Sequence, residues 1–262
     1  MVTMPINNNL LINKLHLMTA YEEQAYSLLN DWRKGMQKKP SLVNRITKGL
    51  QDKINSLIPE KVHTAITFTI EKMVKAVLFG AKYTTTEHLP AGASLELQES
   101  YIRRQISIYQ KTATVEGAVT GAAGILLGLA DFPLLIGIKM KLLFNIAALY
   151  GFDVKNYKER LYILYVFQLT FSSQQRRNEV YRLLENWEIY SMQLPDDADK
   201  FDWRTFQQEY RDYIDLAKMA QLIPVIGAAV GAVANYQLIA ELGEAAMNCY
   251  RMRMLDPKRL RS

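Results

Sequence analysis

Apolar positions recur along this chain at helical spacing, and no segment sustains a two-residue alternation, so the pattern predicts an all-α fold. Thr19 and Glu22 form a Thr-x-x-Glu box that opens a helix to about residue 36, each side chain placed to bond the other's backbone N–H. Pro40 and Ser41 punctuate, and a second amphipathic segment runs to about 58. Pro59 suits a first helical turn, with a longer helix following to about 83. The stretch "TTTEHLPAGAS" reads as a loop, and Ser94 caps a helix that passes Tyr101 and Tyr109 into a glycine-rich run. Phe132-Pro133 restarts the chain as an apolar helix ending at "LYGFD", where Gly151 suits the left-handed position after a helix. Two polar-faced helices at about 157–171 and 174–190, an acidic loop "QLPDDADKFD" and a helix at about 203–222 come next. Pro224 interrupts before a last apolar helix that runs to about 254.

The glycine-rich run carries the sharpest local pattern. Gly117, Gly121, Gly124 and Gly128 are spaced four, three and four, which puts them on one stripe of a continuous helix. Each glycine costs about 1 kcal/mol in a helix interior, and close approach of a neighbouring helix is the usual compensation. Gly227 and Gly231 repeat the device, so two glycine-rich helices are expected to pack in the core. No Lys-Ser or Lys-Thr follows the run, which removes a phosphate loop. Membrane crossing is the rival reading. Only Asp131 is charged over 117–138, and 222–240 has no charge, both near the roughly 20 residues a span needs. A mid-span Asp131 would cost about 2.5–3.5 kcal/mol and Pro133 would break the backbone there, so buried or membrane-contacting helices are the expectation.

Composition narrows the picture. With 49% hydrophobic and 22% charged residues the chain is a folded protein, and a single Cys249 leaves no disulfide or thiolate metal site within it. A reducing cytosol fits, and the start "MVTMPINNNLLINKLHL" lacks a signal peptide's layout. The net charge of +6 points to an anionic partner or simply to solubility.

The glycine-striped run, Asp131-Phe132-Pro133, the helix ending "IAALYGFD" and the later "LIPVIGAAVGAVANY" together resemble the EcsC family over about 21–250. That family is bacterial, mostly helical and named for the third gene of an ABC-transporter operon. The resemblance implies a membrane-linked context with an ABC transporter as partner. It supplies no established catalytic residues.

Candidate chemistry is sparse. His16, His63 and His88 are scattered with no His-Glu-x-x-His, and Ser94 lacks a Gly-x-Ser-x-Gly elbow. Asp131 is either a helix cap before Pro133 or a catalytic acid. Glu241 has the same offset from Gly227 that Asp131 has from Gly117, so the two could share an interface, with Glu116 nearby. Tyr101, Tyr109, Trp187 and Trp203 read as core or rim. The tail "YRMRMLDPKRLRS" sets Arg251, Arg253, Lys258, Arg259 and Arg261 among methionines, as in a segment touching anionic lipid. No helix-turn-helix frame supports nucleic acid.

The expected molecule is a single helical domain of about eight helices over 19–250, between a polar extension at 1–18 and a basic tail at 251–262. Its expected role is a cytoplasmic, non-enzymatic accessory at the inner face of a membrane, without cofactor or metal. The alternatives are an integral membrane protein, a lipid-binding protein, or a hydrolase acting on lipid or peptide through Asp131.

Overall fold

The computed structural model describes residues 18–37, 60–77, 89–121, 125–172, 174–214, 219 and 227–255. Within its helices, the side chains of 60, 61, 63, 113–131, 174–175, 207, 211–213, 227–232 and 234 are outside that set. Nine α-helices lie among the described residues: α1 Ala20–Gln37, α2 Glu60–Lys75, α3 Leu95–Gly121, α4 Ile125–Leu149, α5 Tyr157–Phe171, α6 Gln174–Glu185, α7 Trp187–Gln193, α8 Trp203–Tyr213 and α9 Gly227–Met254. A 3₁₀ turn, Ala198–Lys200, interrupts the acidic loop, and the described residues include no strand. One isolated antiparallel bridge joins Ser172 to Ile214.

The helix ends follow the local chemistry. Thr19 N–H donates to Glu22 Oε2 at 2.8 Å and Glu22 N–H to Thr19 Oγ1 at 3.3 Å, the reciprocal bonds of a capping box. Ser94 Oγ accepts from Leu97 N–H. After α4, Gly151 takes φ +85°. Its N–H donates to Ala148 O and that of Phe152 to Ala147 O, so the last carbonyls are satisfied by a Schellman turn.

Four expectations from the pattern are corrected. The glycine run is not one helix: α3 ends at Gly121 and α4 begins at Ile125, with Gly124 outside the described residues. Pro133 does not restart the chain, because it lies inside α4. An interior proline costs about 3 kcal/mol; buried Phe132, Leu135 and Ile136 on either side hold the helix through it. The helix over 157–171 has no polar face, since every residue from Leu161 to Phe171 is buried. Its polar groups are satisfied inside, Gln168 donating to Tyr210 O and Thr170 to Val166 O. The segment beyond it is two helices, broken at Asn186, whose side chain bonds back to Arg182 O and competes with the backbone ladder.

Helix directions follow from specific pairs. Tyr150, just past α4, donates to Glu99 near the start of α3, while Asn145 donates to Tyr109 further along α3. The two helices are therefore an antiparallel hairpin. Arg251 of α9 meets Glu99, and Gln110 of α3 reaches Tyr236 O, so α9 is also antiparallel to α3. Between them, α3, α4 and α9 form the central layer, with α5 packed on α9 and α1 laid across α3, α6 and α9. These directions gather the end of α3 (Gly117, Gly121), the start of α4 (Gly128) and the start of α9 (Gly227, Gly231) at one pole of the molecule.

Candidate functional site

The pole opposite the glycine-rich one is charged, and its charges face inward. Leu95, Glu99, Ile102 and Ile106 lie along one stripe of α3, which makes Glu99 an acid at a core position. Arg251 grips it in a two-pronged pair, Nε to Oε1 at 2.7 Å and Nη2 to Oε2. Tyr21 of α1 donates to Oε2 at 2.6 Å, Tyr150 to Oε1 at 3.1 Å, and Arg103 bonds both Tyr21 and Glu99. Burial alone would raise the Glu99 carboxyl, but the bonds from Arg251 and the tyrosines outweigh it and hold the group below its ordinary range. Burial would likewise lower Arg251, and Glu99 more than offsets it.

A second pair sits beside the first. Arg253 Nη1 bonds both oxygens of Glu159, at 2.9 and 2.7 Å, and lies over the rings of Phe152 and Tyr162. Tyr250 donates to the same carboxylate. Arg251 and Arg253 are therefore not tail residues that meet an outside anion. They belong to α9, and their charges are spent on Glu99 and Glu159 inside the protein. Lys258, Arg259 and Arg261 lie outside the described residues. Cys249 is buried, and burial pushes its thiol up, which makes it a core group rather than a nucleophile.

At the glycine-rich pole the chemistry is different. Lys139 of α4 is fully buried, its Nζ 3.0 Å from Asn235 Oδ1 of α9 and 3.4 Å from Leu135 O. Both helices are antiparallel to α3, so α4 and α9 run parallel, and this bond gives their register. Toward the same pole, Leu134 and Val233 are each 57% exposed and Tyr236 is 47% exposed. Among the described residues, one helix segment is long and apolar enough to cross a membrane, Phe132–Leu149 with mean hydropathy 1.7, but 67% of it is buried.

Register also separates the proposed acids. Asp131 is in the second turn of α4, not at its N-cap. Lys139 pairs with Asn235, so Asp131 stands level with about residue 227 of α9, roughly 20 Å along the axis from Glu241 at about 1.5 Å per residue. The two do not share an interface. Equal offsets from glycines say nothing about meeting when the glycines start different helices at one pole. Glu116 lies on α3 near the level of Lys139. Glu241 instead lines an open cleft of about 420 Å³ with Glu244, Arg177, Trp32, Met36 and Leu169. His16 and His88 lie outside the described residues, as does the side chain of His63, and no group of three metal-binding side chains occurs among those described.

Glu99, Glu159, Lys139 and Asn235 were missed from sequence. For Glu99 and Lys139 a signal was present, a charged residue inside an apolar stripe. Nothing local marked which arginine would answer it.

Comparison with known proteins points to one family. The model of the EcsC protein family matches residues 23–255. Protein EcsC of Bacillus subtilis (strain 168) is 45% identical over 225 residues, covering 86% of this chain and 92% of that protein. The uncharacterized protein YdbA of the same organism is 32% identical over 143 residues, covering 55% of this chain and 53% of that one. No solved structure matches the chain.

Proposed function

The chain belongs to the EcsC family, and from that premise we propose that it is a membrane-associated accessory protein that docks through its glycine-rich pole. The supporting observation is the exposure of Leu134, Val233 and Tyr236 at that pole. A soluble monomer tolerates scattered apolar residues, but three at one pole of the central layer suit a surface that is covered in use. Attachment by crossing the bilayer is disfavoured, because α4 is mostly inside the protein and Asp131 would carry an insertion cost of about 2.5–3.5 kcal/mol. The family's link to an ABC-transporter operon suggests such a transporter as the membrane partner.

Cell fractionation tests the reading. The protein is expected with membranes, partly released by high salt and fully by alkaline carbonate. Recovery in the soluble fraction at low salt would remove the proposal, and retention through carbonate would replace peripheral attachment with integration. Co-purification of ABC-transporter subunits from detergent extracts, lost with Leu134→Asp, would support the partner.

A second reading, lipid binding or hydrolysis, finds its geometry in the cleft at Glu241 and Glu244 rather than at Asp131. Complementation of a deletion strain separates the two. Loss of function in Glu241→Gln/Glu244→Gln with normal membrane attachment would move the activity to the cleft.

A further inference from the structure

We propose that the cleft lined by α1, α5, α6 and α9 binds a zwitterionic amphiphile, with its ammonium on Glu241 and Glu244, its anionic group on Arg177 and its hydrocarbon on Trp32 and Met36. This gives a ligand class to the cleft of the second reading above and does not depend on docking at the glycine-rich pole. The cavity measures about 420 Å³, within the range of roughly 300–1,000 Å³ usual for small-molecule sites.

Each helix brings a different chemistry to the lining. Glu241 and Glu244 are three residues apart on α9, so their carboxylates share one helix face, and both side chains are exposed. Thr170 of α5 is a buried hydroxyl that gives its proton to Val166 O, so its Oγ1 has only lone pairs left to offer. Trp32 of α1 is partly exposed and is held by an edge-on contact with Tyr181 at 5.7 Å between ring centres. Two carboxylates, an acceptor-only hydroxyl and an indole suit an ammonium. Met36, Leu169 and Ala245 add apolar surface for a hydrocarbon body.

Arg177 of α6 argues against a simple cation, which would meet its repulsion, while an anion alone would meet the two carboxylates. A ligand that carries both signs answers both. A guanidinium has five donors, so Arg177 can hold an anionic group and keep its interactions within the protein. Two sources share this chemistry: a phosphoethanolamine lipid headgroup with the first carbons of its chains, and a free α-amino acid with an apolar side chain.

The test is isothermal titration calorimetry on the full chain with two matched pairs of soluble probes. Dihexanoylphosphatidylethanolamine is compared with dihexanoylphosphatidylglycerol, which keeps the phosphate and lacks the ammonium. L-leucine is compared with isopentylammonium, which is leucine without its carboxylate. Expected is that one zwitterion binds about ten-fold or more tighter than its singly charged counterpart, the worth of one charge-assisted hydrogen bond. The zwitterion that binds tighter identifies the source as lipid headgroup or free amino acid. Glu241→Gln/Glu244→Gln should lose about ten-fold or more on that zwitterion, and since both side chains are exposed its melting curve should be unchanged. Arg177→Gln should lose a similar factor on the zwitterion and none on isopentylammonium, whereas a purely structural role would weaken both. Binding of neither zwitterion, or equal binding of the preferred one and its singly charged counterpart, overturns the proposal. Failed complementation by the glutamate pair without any zwitterion binding would leave the activity in the cleft and remove this ligand class. Membrane docking is judged by fractionation, and none of these outcomes changes it.

Discussion

Glu99 shows how one residue can tie four segments together. It takes a two-pronged pair from α9, a bond from Tyr21 of α1 and one from Tyr150 after α4. Cutting such a buried pair leaves a charge without its partner, which typically costs about 3–5 kcal/mol. Glu99→Gln is therefore expected to melt about 10 °C lower, at roughly 2–4 °C per kcal/mol. The pH dependence has a definite sign. The folded carboxyl titrates below its unfolded counterpart, so its stabilisation is complete at neutral pH, where both states are ionised. It declines as the pH falls below the ordinary carboxylate value of about 4.3. Acid titrations followed by circular dichroism should show a shallower stability loss in Glu99→Gln than in the unmodified protein. Gly243 is the second informative position. A Cβ there would meet Ile106 Cδ1 at 2.6 Å and Cγ1 at 2.7 Å, so α9 and α3 touch at this glycine. The clash outweighs the helix-propensity gain, and Gly243→Ala should lose about 1–2 kcal/mol. Adding Ile106→Ala should recover part of it; no change in melting on Gly243→Ala would show that Ile106 gives way freely.

Among the elements, α4 is the one whose character the structure revises most. It looks like a membrane helix by composition, contains a proline, and is mostly inside the protein. Its place in the third turn makes Pro133→Ala a direct measure of strain. The substitution restores a backbone donor and should raise the melting temperature if α4 is simply a core helix. Asp131 belongs to the same segment. With the N-cap reading removed, Asp131→Asn is expected to leave the melt nearly unchanged. A stably folded Asp131→Asn that fails to complement a deletion strain would revive its functional reading.

Among the described residues, the two arginine–glutamate pairs of α9 are buried at the pole opposite the glycine-rich one. Their positions make C-terminal truncation informative. A chain ended after Leu255 retains Arg251 and Arg253, whereas one ended after Tyr250 loses both partners of Glu99 and Glu159. The first truncation should melt close to the full chain and the second far below it. Equal melting of the two would show that the arginine pairs contribute little. Equal membrane attachment of the first truncation and the full chain would assign docking to the glycine-rich pole rather than to the basic residues beyond 255.

The all-α class, the caps at Thr19 and Ser94 and the turn at Gly151 were legible in the order of residues, because contacts within four or five positions decide them. The same was true of the family resemblance, since it rests on motifs in a fixed order. Direction and partnership were not legible. A three-four spacing of glycines reads alike along one long helix and over two antiparallel ones, so the opposite directions of α3 and α4 were hidden. Arg251 looked like part of a basic tail because its partner, Glu99, is 152 positions away. A charge is spent or free according to what folding brings beside it, and that is settled by helix packing rather than by its neighbours along the chain.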